Sequence, residues 1–140
     1  MSVTTLDSAA TLTVGEQTPD ALVGQLRAHL QALAAMSLPI TYRDVAKAML
    51  LSPPHTIHQV TEALEQLMAE DAATGHPFIA AMVISKWRDG LPAPGFFDCA
   101  ARLGRFADDA TEPNARMFHA GEFNASVALW APTGNARESE

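Results

Sequence analysis

Residues 78–90 read Phe78-Ile79-Ala80-Ala81-Met82-Val83-Ile84-Ser85-Lys86-Trp87-Arg88-Asp89-Gly90. Phe78 to Ile84 is uninterrupted apolar sequence, preceded by the turn Thr74-Gly75-His76-Pro77 and followed by a charged stretch ending in Asp-Gly. A short continuous apolar run between turn signals predicts a buried strand. Ser85 to Gly90 predicts a loop with a hairpin-like Asp-Gly and an indole between two cations. This stretch decides the fold, because the chain before it reads as three helices. Three helices, then a strand and a basic-tipped loop, is the order of a winged helix-turn-helix. A generic α-rich bundle carrying a small hairpin is the alternative.

Upstream, Ile57, Val60, Leu64, Leu67 and Met68 recur at three- and four-residue spacing. They predict an amphipathic helix from 55 or 56 to 73. Ser52-Pro53-Pro54 breaks the chain before it. Thr41-Tyr42-Arg43-Asp44 approximates a capping box, with Asp44 in the usual place of Glu or Gln. Val45, Ala46, Met49 and Leu50 then supply the apolar face of a short helix over 42–50. Thr18-Pro19-Asp20 is a helix start, and Leu22, Leu26, Leu30 and Leu33 extend it to about 36, where Ser37-Leu38-Pro39 ends it.

Downstream, Leu91-Pro92-Ala93-Pro94-Gly95 excludes regular structure and makes a stiff connector, with a small pocket beside it as one possibility. Phe96, Phe97, Ala100 and Leu103 predict a helix over 96–103, closed near Gly104. After a polar loop from Asp108 to Asn114, a last helix over 115–130 carries Phe118, Phe123, Leu129 and Trp130. That is more apolar surface than one core face needs. Phe123 and Trp130 are therefore candidates for a dimer or partner interface, with simple core packing as the alternative. The expected fold class is mainly α with a small β-hairpin: a winged helix-turn-helix-like core plus additional C-terminal helices. Residues 18–131 form the single domain, between a flexible arm (1–17) and a flexible tail (132–140).

The chain has 140 residues, with 48% hydrophobic and 18% charged, the balance of a globular domain. One cysteine, Cys99, excludes an intramolecular disulfide and suits a cytoplasmic location. No stretch suits a signal peptide or a membrane span. Acidic residues outnumber basic ones 16 to 9, for a net charge of -7. That balance disfavours a general nucleic-acid coat. The stronger objection is local: from Pro54 to Ala73 there is no Lys or Arg, but there are Glu62, Glu65, Glu70 and Asp71. A helix that reads DNA must bring cations to phosphates.

The cations lie elsewhere. Arg43 and Lys47 are four apart on the second helix and share a face. Lys86 and Arg88 flank Trp87. These five residues are the candidate nucleic-acid or partner contacts, with ordinary solvated surface as the alternative. Trp87 either stacks on a base, anchors a protein interface or folds under its loop. His55, His58 and Glu62 are spaced to line one helix face, but without thiolates or an HExxH order a metal is not expected. His58 with Glu62 reads as a surface hydrogen bond. Cys99 follows Phe96-Phe97-Asp98 and reads as a buried, inert thiol. No catalytic motif is present in the residues, and neither an enzyme nor a cofactor is expected.

Ile40-Thr41-Tyr42-Arg43-Asp44-Val45-Ala46 resembles the start of the helix-turn-helix in the alkylguanine-DNA alkyltransferase family, and His76-Pro77-Phe78-Ile79 lies where that family has Asn-Pro and a strand. The resemblance implies a winged-helix DNA-binding core. Where the family carries its Pro-Cys-His-Arg motif, this chain reads Val83-Ile84-Ser85-Lys86, so the resemblance does not extend to the cysteine nucleophile. The chain is also similar, over about 38–104, to small uncharacterised bacterial and phage proteins. The shared features are Ile40 to Ala46, Met82-Val83-Ile84-Ser85-Lys86 and the turn Gly90 to Phe97. The expected function is a non-enzymatic regulatory or adaptor module acting through protein contacts, with a homodimer or another protein as partner. The alternative is a DNA-binding regulator using the wing and the second helix.

Overall fold

Leu22, Val23, Leu26, Leu30 and Ala34 recur every three to four residues and are all buried, so one stripe of α1 (Pro19–Ala35) faces the core. The computed structural model describes residues 19–107 and 113–131. The expected arm, the tail and the Asp108-Asp109 pair lie outside them. α1 ends where Ser37 turns to φ +57 and the Leu38 N–H reaches back to the Leu33 carbonyl at 3.0 Å. After β1 (Ile40–Thr41), α2 (Tyr42–Ala48) starts at a side-chain cap, with Thr41 Oγ1 accepting from the Asp44 N–H at 3.2 Å. Leu50, at φ +58, closes α2 and is 74% exposed. Gln59 of α3 (Thr56–Thr74) ties down the turn between the two helices by donating to the carbonyls of Ser52 and Pro54. Gly75, at φ +75, caps α3 in a conformation that favours glycine. α4 (Pro94–Arg102) and α5 (Asn114–Trp130) complete the described chain. The mainly helical class is as expected, and helix ends agree to within about two residues.

The decisive stretch takes a different form from the expected strand. Ile79–Met82 is a turn of 3-10 helix, and only Val83–Ile84 is extended, as β2. The small β element is not a hairpin. β2 pairs in parallel with β1, Ile40 beside Val83 and Thr41 beside Ile84. Two physical causes account for this. Pro92 and Pro94 cannot donate to a returning strand. And the backbone of residues 78–81 finds its partners in side chains rather than in a ladder.

Four side chains supply those partners. Asp71 Oδ2 accepts from the Ile79 N–H at 3.0 Å, and Glu122 Oε1 from the Phe78 N–H at 2.9 Å. The Ser126 hydroxyl donates to the Phe78 carbonyl at 3.0 Å, and His119 Nε2–H to the Ala81 carbonyl at 2.8 Å. Phe78, Ile79, Ala80, Ala81 and Met82 are buried among α1, α3 and α5, with the Phe78 and Ile79 N–H groups and the Phe78 and Ala81 carbonyls partnered by side chains. α5 is thus part of the core. Asp71 bridges further: its Oδ1 takes a hydrogen bond from Arg27 of α1 at 2.9 Å, while Glu70 takes the other guanidinium nitrogen at 3.0 Å. Rings pack around the segment, with Phe78 edge-on to Phe96 and Phe118 and the Arg105 guanidinium 4.1 Å from the Phe78 ring centre.

His119 makes the fold sensitive to pH. Burial lowers its pKa below the ordinary histidine range, and nearby Arg116 lowers it further, against the Ala81 hydrogen bond. A depressed folded-state pKa means that the unfolded chain binds the proton more readily. Stability is therefore full above about pH 6.5, the unfolded value, and falls as pH drops through the folded pKa. Urea titrations between pH 8 and pH 5 should show this loss, and His119→Gln should flatten it. An unchanged slope in the variant would assign the loss to other groups.

Candidate functional site

The loop from Ser85 to Pro92 is short and held at several points. The Ser85 N–H donates to Leu91 O at 2.8 Å, Arg88 N–H to Ser85 O at 3.2 Å and Leu91 N–H to Arg88 O at 3.1 Å. Asp89 and Gly90 both have positive φ, +55 and +86, as a type I′ turn requires. The Arg88 guanidinium folds back to donate to Pro92 O at 2.7 Å. From α5, Arg116 reaches the Asp89 carbonyl at 3.3 Å and its carboxylate at 3.6 Å.

On this braced loop Trp87 does not fold under: it is 83% exposed, with Lys86 Nζ 4.9 Å from its ring centre. Arg43 and Lys47 are exposed on α2. The loop and the start of α2 meet where the Ala93 N–H donates to the Tyr42 hydroxyl at 3.0 Å. Burial raises the Tyr42 pKa, against the Ala93 hydrogen bond and the Arg88 charge; Arg88 is tied to Pro92, the neighbour of Ala93. Arg88, read as a contact residue, also braces its own loop. Phe123 and Trp130, the candidate interface residues, are half-buried and pack against the core, while Met117 and Leu129 are the exposed apolar side chains of α5.

The acids of α3 are not all solvated. Asp71 faces the core and Glu70 pairs with Arg27, which corrects their reading as a simple repulsive face. Glu65 meets Arg102 at 3.4 Å. His58 Nε2 meets Glu62 at 3.0 Å on the surface, the pairing the spacing suggested. Cys99 is buried, and burial followed by the Glu65 charge pushes its thiol pKa up, which keeps it in the unreactive thiol form.

A second feature was only faintly legible. The Gly90–Gly95 connector borders a cleft of about 170 Å³, backed by the buried Leu64, Met68 and Phe96 and rimmed by Tyr42, Thr61 and Glu65. Its walls come from α2, α3 and α4, so no local motif marks it. Among the described residues no helix is long and apolar enough to cross a membrane. Comparison with known protein families, characterised proteins and solved structures returns no match.

Proposed function

We propose that this chain is a non-enzymatic regulatory or adaptor module that binds an acidic protein surface through the 85–92 loop, with Trp87 as the anchor. The observation that carries this reading is the 83% exposed indole on a loop braced by six hydrogen bonds or ion pairs to its own backbone and α5. A large apolar ring kept in water on a rigid support has little to gain from the isolated fold, and much from a partner that covers it. Lys86 and Arg88 beside it favour carboxylates opposite. The partner is a second copy or another protein. The winged-helix-like arrangement and the resemblance to the alkyltransferase DNA-binding core belong to this proposal, as does a cytoplasmic location, for which the lone Cys99 is the support.

The test begins with affinity purification, identification of the retained protein and titration of that purified partner. Sedimentation of the chain alone covers the homodimer. Trp87→Ala should weaken the complex about 30-fold or more, the scale of a central aromatic anchor. An unchanged affinity, or a strictly monomeric chain that retains nothing, would overturn the reading.

The second reading is a DNA-binding regulator using the loop and α2. Its support is the hydrogen bond from Ala93, at the end of the loop, to Tyr42, the neighbour of Arg43 on α2, which joins the two cation-bearing elements. The absence of Lys or Arg from α3 weighs against it. Steeply salt-dependent duplex binding, lost on changing Lys86 and Arg88 to Glu, would favour DNA over protein.

A further inference from the structure

The cleft beside Tyr42 joins two kinds of surface. Its inner wall is apolar and buried: Leu64 and Met68 from α3, and Phe96 from α4. Its rim carries a carboxylate. Glu65 Oε1 is engaged by Arg102 at 3.4 Å, but that guanidinium side chain is 61% exposed, and such a pair holds weakly. Glu65 and Gly95 both line the cleft, and Oε2 lies 4.0 Å from where a Cβ on Gly95 would stand, an ordinary contact distance. On the same rim, the Tyr42 hydroxyl accepts from the Ala93 N–H and retains a second lone pair.

Size and charge together define an occupant. An apolar cavity of about 150 Å³ is enough to take up benzene. The cleft offers about 170 Å³, room for one such ring but not for a drug-sized molecule. A ring against Leu64, Met68 and Phe96 would place a substituent at Glu65 Oε2 and the Tyr42 oxygen, both hydrogen-bond acceptors. We propose that this cleft binds a small organic cation: a flat apolar stem of benzene size bearing an amidinium or ammonium head, the stem against Phe96 and the head on Glu65. The cleft adjoins the Trp87 loop at the Ala93–Tyr42 hydrogen bond, but the proposed occupant does not depend on what that loop binds.

Benzamidine is the probe and benzamide its neutral counterpart of the same shape. The full chain, labelled with nitrogen-15, is titrated with each and followed by amide chemical shifts. Benzamidine should give saturable shifts at Ala80, Ala93 and Gly95, with an affinity about tenfold or more above benzamide, because a charge-assisted hydrogen bond replaces a neutral one. Glu65→Gln should erase that preference while leaving weak binding of the ring. Arg102→Ala should tighten benzamidine by up to about fivefold, by removing a competing cation. Both positions are surface-accessible, and a well-dispersed spectrum of each variant shows that it is folded. No saturable shift from benzamidine, equal affinity for the two probes, or a preference that survives Glu65→Gln would each overturn the proposal.

Discussion

Asp71→Ala is expected to remove about 3 kcal/mol of stability. Asp71 is 1% exposed, and its two carboxylate oxygens serve different elements. Oδ1 holds Arg27 of α1 and Oδ2 holds the Ile79 N–H in the central segment. Alanine leaves that buried N–H without an acceptor, at a cost of about 1–3 kcal/mol. It also releases one side of the Arg27 guanidinium. Glu70 still holds the other side, and Arg27 is partly solvated, which limits the total to the lower end of the range for broken buried pairs. Urea unfolding followed by circular dichroism measures the change. Arg27→Ala alone should cost less, and the double variant should fall short of the sum, because the two share an interaction. A loss under about 1 kcal/mol for Asp71→Ala would mean that Ile79 finds another partner.

Phe78→Ala is expected to cost about 4 kcal/mol, the scale of a phenylalanine removed from a closed core. Phe78 is fully buried, edge-on to Phe96 and Phe118, and covered by the Arg105 guanidinium. Arg105 is itself held by the His76 carbonyl at 3.0 Å and Glu122 at 3.0 Å, so it cannot collapse into the space left behind. Phe78→Leu keeps most of the volume and should cost under about 2 kcal/mol. Thermal unfolding of the two variants separates cavity formation from loss of the ring contacts. Equal costs for alanine and leucine would show that ring stacking, not volume, carries the effect.

The helices were legible because their signals are local. Leu22, Leu26 and Leu30 announce α1, Thr41 announces the start of α2, and Gly75 the end of α3. The form of residues 78–84 was not legible, since a continuous apolar run only says that a segment is buried. Its hydrogen-bond partners His119, Glu122 and Ser126 stand 38 to 48 residues away. Asp71 stands closer, eight residues from Ile79, but it read only as one of four acids on a helix without cations. For the candidate site, the position of Trp87 in a cationic loop was readable. The bracing by Arg116 and the tie between Ala93 and Tyr42 were not, because both cross between distant segments. Of the cleft only the connector at its edge was legible, as the place for a small pocket, because Tyr42, Glu65 and Phe96 stand on three different helices.

The hydrogen bonds of the central segment also constrain how the chain folds. Three of the four side chains that serve the backbone of residues 78–81 belong to α5, the last helix of the described chain. Until α5 docks, the segment cannot leave water without stranding the Phe78 amide and two carbonyls. α1, α3 and the segment therefore gain their burial only together with the C-terminal helix. The decisive contacts are long-range ones, whose loop-closure entropy must be met before they stabilise anything. The described residues are therefore expected to fold and unfold as one cooperative unit, with α5 as its latch.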